Sequence, residues 1–200
     1  MDSNGASSTK ICSVSVQHAR ARIENCLIDG YTVTTSTSNG GSGLLVENGA
    51  AVNCTVVNTK YNVADAGNQA KLAGIKVTGS GVATNCISAL NADPSGTLRA
   101  FLPGQAGSRL VNCAYDGIAG SVEPLSGMVN PVAGTAESFF NDYANGDYTL
   151  NPTGALVNAG IDYDDMASVD LAGKKRKIGK HIDLGCYECQ KVPGFFIFVR

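Results

Sequence analysis

Apolar and polar residues follow one another in short runs, and no segment keeps an apolar period near 3.6 residues for three helical turns. The runs are strand-length, and Gly, Asn, Asp or Ser separates them. One phrase recurs: RIENCLID from Arg22, AAVNCTVV from Ala50, VATNCISA from Val82 and RLVNCAYD from Arg109. Each copy holds an Asn-Cys pair: Asn25-Cys26, Asn53-Cys54, Asn85-Cys86 and Asn112-Cys113. The cysteines are spaced 54 − 26 = 28, 86 − 54 = 32 and 113 − 86 = 27 residues apart. A period near 30 with variable loops marks a stacked-repeat fold. Two copies extend upstream, through Gly43–Gly49 (GLLVENG) and Gly74–Gly79 (GIKVTG). Each repeat thus offers a short strand, a Gly-rich turn, a second strand, an Asn and a third strand that starts at Cys. Three short strands per repeat suit one coil of a parallel β-helix.

The Asn follows from geometry. Three residues before each Cys stands Ile23, Ala51, Ala83 or Leu110, and two residues after it stands Ile28, Val56, Ser88 or Tyr115. In one straight strand, positions −3 and 0 would face opposite sides. A bend at Asn lets both point inward, and Asn tolerates the left-handed backbone that such a bend needs. Stacked coils would set Asn over Asn at about 4.8 Å, close enough for a hydrogen-bonded amide ladder. The four cysteines then form a column of buried thiols, since neighbouring parallel side chains point the same way and disfavour a disulfide. Past Cys113 the phrase fades, and Val122–Gly134, rich in Pro and Gly, reads as a loop or irregular coil.

The C-terminal third changes pattern. It carries FFNDYANGDYTLNPTGALVNAG from Phe139 and DLAGKKRKIGKHIDLGCYEC from Asp170. These residues resemble the C-terminal module of the bacterial choice-of-anchor Q proteins, right-handed β-helix proteins of the pectin-lyase-like class. The correspondence runs through Gly146-Asp147-Tyr148-Thr149-Leu150, Pro152 to Gly160, Asp170 to Arg176, and Asp183-Leu184-Gly185-Cys186-Tyr187-Glu188. Cys186 stands where the family commonly has Ala, and Gly154-Ala155 where Ser-Pro is usual. The resemblance implies an all-β, right-handed parallel β-helix (a solenoid) with a C-terminal capping module. It also implies an exported protein, secreted or displayed on the bacterial cell surface. The division expected is coils over residues 1–134 and a coil or cap module with a terminal strand over 135–200.

Composition narrows the chemistry. Gly is 24 of 200 residues, well above the usual ~7%, and charged residues are 16%, below the usual ~25%, as many strands and turns require. The net charge of −2 gives no electrostatic case for nucleic acid, and the isolated run Lys174-Lys175-Arg176-Lys177 reads as a solvated turn. No stretch approaches the ~18 apolar residues of a membrane span. The N-terminal residues MDSNGASSTKIC lack the apolar core of a signal peptide, which leaves two expectations: a cytoplasmic chain, or an exported one whose signal lies upstream of this sequence. Phe195–Val199 reads as a terminal strand, and an open β-helix end predicts self-association.

No catalytic or metal-ligating set emerges. Asp162-Tyr163-Asp164-Asp165 is the dense acidic cluster and the candidate for calcium, yet it lacks the alternating ligands and terminal Glu of a calcium loop. Cys186-Tyr187-Glu188-Cys189 has no second pair to complete a zinc site, and reads as a disulfide or two inert thiols. His18 and His181 stand alone. The residues singled out are therefore the structural ladder itself, Asn25, Asn53, Asn85 and Asn112 with Cys26, Cys54, Cys86 and Cys113. The expected function is a structural, adhesive or glycan-contacting module, with Tyr31, Tyr61 and Tyr115 as candidates for stacking on sugars. The alternative is the C-terminal part of a polysaccharide lyase or glycoside hydrolase whose catalytic coils lie upstream.

Overall fold

The computed structural model describes residues 11–34, 41–62, 72–103, 107–117 and 127–191. The chain coils into a parallel β-helix. Its first rung holds β1 (Ile11–Val16), β2 (Arg22–Glu24), β3 (Leu27–Asp29) and β4 (Thr32–Val33). The second holds β5 (Gly41–Val46), β6 (Ala50–Val52), β7 (Thr55–Val57) and β8 (Lys60–Tyr61). The third holds β9 (Ala73–Val77), β10 (Val82–Thr84) and β11 (Ile87–Ala89), and the fourth β12 (Phe101–Pro103), β13 (Arg109–Val111) and β14 (Ala114–Tyr115). A shorter fifth rung adds β15 (Met128–Val129) and β16 (Val132–Ala133). Three long parallel sheets result, ordered β1-β5-β9-β12, β2-β6-β10-β13-β15 and β3-β7-β11-β14-β16, and β4 pairs with β8 in a fourth, two-stranded parallel sheet.

Register places like on like. Val14, Leu44, Ile75 and Phe101 stack in the first sheet. Ile23, Ala51, Ala83, Leu110 and Met128 stack in the second. Ile28, Val56, Ser88 and Tyr115 stack in the third. These rows and the cysteine column close one continuous core. In the fourth rung Phe101 and Tyr115 meet edge to face, ring centroids 6.3 Å apart. Each fully buried Val, Leu or Ile contributes roughly 1.5–3 kcal/mol.

The fifth rung revises the reading of Val122–Gly134 as a loop or irregular coil. Within its described part, Val129-Asn130 repeats Val52-Asn53 and Val111-Asn112, and Asn130 has φ 49°. Pro131 stands where Cys stands in the other rungs, so a search anchored on Asn-Cys passes over it.

Thr135 then caps the one-turn helix α1 (Ala136–Phe139), which leads into the antiparallel hairpin of β17 (Phe140–Asp142) and β18 (Asp147–Leu150), joined by a 3-10 turn at Tyr143–Asn145. The described part of this module packs along the flank of the coils. Phe139, Phe140, Tyr148, Leu150, Leu156 and Leu184 cover Val57, Ile87, Ala89 and Ala114 on the outer face of the third sheet, forming a second core. Gly185 permits the closest approach. Its φ is 79°, and a Cβ there would sit 2.4 Å from Ile87 Cδ1, so its N–H can reach the Asn85 carbonyl at 2.8 Å. Among the described residues, no helix is long and apolar enough to cross a membrane. Phe195–Val199 lies outside the described residues.

Candidate functional site

The four ladder asparagines sit at one corner of the coils with φ between 50° and 54°. Their partners differ from the expected amide ladder. One direct link joins them, Asn112 Nδ2 donating to Asn85 Oδ1 at 3.1 Å. The other bonds go to the C-terminal chain, which runs back down the corner as a strap. Asn112 Nδ2 donates to the Ala159 carbonyl at 2.6 Å, Asn85 Nδ2 to Ile161 at 2.9 Å, and Asn25 Nδ2 to Val169 at 3.1 Å. Ile161 N–H returns a bond to Asn85 Oδ1 at 2.9 Å, and Asn53 Nδ2 donates to Tyr163 Oη at 2.7 Å. Tyr163 Oη donates to Glu24, and Arg22 lies 4.9 Å above the Tyr163 ring centroid. A single strap thus takes up the amides that stacking alone would have left to one another.

The cysteines face inward. Cys54, Cys86 and Cys113 are buried, Cys26 is part-buried, and all seven cysteines are free thiols. Each column thiol donates to the carbonyl two residues earlier, at 3.2 Å for Cys26, 3.4 Å for Cys54, 3.3 Å for Cys86 and 3.4 Å for Cys113. Burial pushes the Cys86 thiol well above the ordinary thiol range, which makes it a poor nucleophile. Burial also pushes Cys186 up, to about 11.

The acids of the C-terminal signature hold backbone N–H groups. Asp183 accepts the N–H groups of Asn158 and Cys189, both at 2.6 Å. Glu188 accepts those of Ile178 and Asp183, both at 3.0 Å, and Asp170 those of Lys174 at 2.9 Å and Glu188 at 3.0 Å. Arg176, 0% exposed, donates from Nη2 to the carbonyls of Asp183 at 3.0 Å and Gly185 at 2.8 Å. Asp162 spends its carboxylate on the Lys177 ammonium at 2.6 Å and the Ile182 N–H at 3.0 Å. Among the described residues, no three His, Cys, Asp or Glu side chains converge as a metal site.

Of the tyrosines expected as sugar platforms, Tyr61 and Tyr115 are 2% and 5% exposed and so buried in the core, whereas Tyr31 stays part-exposed, packed on Val33, Tyr61 and Leu72. A different groove, of about 480 Å³, opens where the hairpin meets the second corner of the coils. Asp29, Asn58 and Lys60 line one wall, and Tyr143 and Tyr148 the other. Asn58 Nδ2 bridges the walls, donating to Asp29 Oδ1 at 2.7 Å and Tyr148 Oη at 2.6 Å. Tyr148 is buried and offers its hydroxyl, while part-exposed Tyr143 offers its ring, its Oη donating to Glu137 Oε1 at 2.6 Å. Nothing in the sequence pattern joins these residues, because Asn58 and Tyr148 meet across 90 positions.

A scan against protein-family models finds no match to this chain, and a search of the curated proteins finds no significant match.

Proposed function

We propose that this chain is a non-catalytic module of a secreted or surface-displayed protein, and that it contacts glycan through the Tyr143 groove. The observation that carries the reading is the groove's make-up. A part-exposed aromatic ring faces a carboxylate, an amide and an ammonium group across an open cleft of about 480 Å³, within the size range of ligand pockets. Sugars stack their C–H faces on aromatic rings and spend their hydroxyls on such side chains. Export is supported by the resemblance of Phe139–Cys189 to surface β-helix modules. Binding of soluble neutral oligosaccharides, followed by calorimetry, tests the proposal. Tyr143→Ala should weaken binding about two- to tenfold, the value of one stacking contact of roughly 0.5–1.5 kcal/mol. Unchanged affinity would remove the groove from the account.

A second reading, part of a polysaccharide-cleaving enzyme, draws on one observation. Asp116 accepts the N–H of Leu90, a groove residue, at 2.6 Å, and burial holds its carboxyl up to about 6. Glu137 nearby is held below the ordinary range by the Tyr143 hydroxyl. A raised acid beside a lowered carboxylate is the pattern of glycoside hydrolysis. New reducing ends or unsaturated products from a panel of polysaccharides, lost in Asp116→Asn, would favour it. A panel left intact supports the binding module.

A further inference from the structure

The segment from Asp170 to Lys191 holds three acids and six strongly basic residues. Folding sorts them by sign. Asp170, Asp183 and Glu188 are 5%, 1% and 5% exposed, turned inward to hold backbone N–H groups. Arg176 is buried with them, and Lys177 is paired with Asp162. What this segment presents to solvent is Lys174, Lys175, Lys180 and Lys191, all exposed, none in an ion pair with a described residue. An acidic chain thereby presents four exposed ammonium groups from one short segment, while the acids of that segment are 5% exposed or less.

The lysines also border a cleft. Lys174 and Lys191 line a depression of about 200 Å³ with Asn141, Thr149, Gln190 and the buried Glu188, whose two oxygens are held by backbone N–H groups; Asn141 Nδ2 and Thr149 Oγ1 both donate to Asp147 beside it. Gln190 Nε2 donates to the Lys175 carbonyl at 3.1 Å, which holds the two chain segments side by side. A smaller pit of about 20 Å³ shares Lys191 and Glu188 and is lined by Asp183 and Gly179.

We infer that this lysine face binds an anionic glycan, one whose carboxylate or phosphate groups meet Lys174 and Lys191 while its hydroxyls meet Asn141, Thr149 and Gln190. The inference rests on the reading of the chain as a glycan-contacting module and adds a second, oppositely selective surface to it. Clustered ammonium groups on one face raise the local concentration of a polyanion and speed its capture. The small polar side chains between them suit sugar hydroxyls and offer no aromatic ring on which a nucleic-acid base could stack.

The test measures binding of the whole chain to polygalacturonate (carboxylate), phosphomannan (phosphate), galactan (neutral) and duplex DNA, at low and moderate salt. One or both anionic glycans should bind more tightly than galactan and DNA, and added salt should weaken them most. K174E/K191E should lose at least about tenfold of that affinity. The charge-matched variant R20E/R109E, which alters exposed residues of the coils, should lose less than about threefold. Equal losses in the two variants, no preference for anionic glycan, or tighter binding of DNA would each overturn the inference. Thermal melts check that both variants fold, and K174Q/K191Q, expected to show an intermediate loss, serves if the reversal does not. The outcomes also separate the two surfaces. Galactan binding that is sensitive to Tyr143→Ala, with no anionic preference, removes the lysine face alone, whereas failure of every glycan to bind removes both.

Discussion

The coils and the C-terminal module solve the same problem by different means. Both must satisfy buried backbone groups, at a cost of about 1–3 kcal/mol for each one left unpaired. In the coils, neighbouring rungs do this through parallel ladders, and the side chains are left to fill the interior. The module has a two-stranded hairpin and then, from Asn151 to Lys191, almost no regular structure. There, carboxylates take the place of neighbouring strands: Asp170, Asp183 and Glu188 each accept two N–H groups. Stability in the coils is spread over many equivalent positions. In the module it is concentrated in a few side chains, and mutations should reveal that contrast.

The sharpest expected effect is at Asp183. Asp183→Ala strands two part-buried N–H groups and removes a counter-charge from beside buried Arg176. Breaking such a buried set costs about 3–5 kcal/mol. Urea denaturation should show this loss. In the coils, trimming a single core side chain by one methylene, as in Ile75→Val, should cost only about 0.5–1.5 kcal/mol. If the coil substitution costs as much as Asp183→Ala, the contrast between the regions fails.

The corner asparagines come next, because there the two regions join. Asn85 makes three amide bonds, two with Ile161 and one with Asn112, and it sits at φ 53°. Asn85→Ala should cost about 3 kcal/mol, from net bonds of about 1 kcal/mol each and a residue forced into the left-handed region. Asn25 makes one bond to the strap, at 3.1 Å, and its Oδ1 has no partner. Asn25→Ala should cost about half as much. Equal costs at the two positions would mean that the strap does not carry the difference.

A pH titration probes the module from another side. Burial pushes the Glu188 carboxyl from 4.5 up to about 7. The folded chain therefore keeps a proton that the unfolded chain has released, and this contribution to stability is full below pH 4.5 and lost as pH rises through about 7. The expected fall is on the order of 2 kcal/mol. Stability measured from pH 4.5 to 7.5 should decline, and Glu188→Gln should flatten that decline. A slope unchanged by the substitution would place its source elsewhere, Asp116 and Asp183 being the other buried carboxyls held high.

The repeat was legible because its logic is local. Asn before Cys, with apolar residues at −3 and +2, encodes a bend and two inward rows within six positions, and this suffices to place β2 and β3 and their counterparts in each rung. The fifth rung escaped because Pro131 breaks the phrase while Asn130 keeps the bend. The strap escaped for a different reason. Pairings such as Asn53 with Tyr163, 110 positions apart, follow no period, and only folding reveals them. The acids of the C-terminal signature stood out in the sequence, but their pattern does not distinguish an acceptor of backbone N–H groups from a catalytic or metal-binding group. The Tyr143 groove is the extreme case, assembled from a corner of the coils and a hairpin with no shared motif.

The smallest expected effect compares three rungs at one corner. Gly30, Asn58 and Leu90 follow the paired residues Asp29, Val57 and Ala89, so they stack, and all three have positive φ, at 79°, 54° and 60°. Gly adopts that conformation without steric cost, and Asn nearly so, whereas a Cβ-bearing aliphatic residue pays about 1 kcal/mol or more. Leu90 recovers part of this through apolar contact, since it packs at the margin of the second core, half-buried. Its N–H is already held by Asp116, and that bond survives any side-chain change. Leu90→Asn should therefore stabilise the chain by about 0.5 kcal/mol, the relief of strain slightly exceeding the lost contact. Leu90→Ala keeps the Cβ strain and loses the contact, so it should destabilise by about 1 kcal/mol. The sign difference between these two variants is the measurement of interest. If both destabilise equally, backbone strain at this corner is already relaxed in the rung, and the choice among Gly, Asn and Leu there is governed by packing alone.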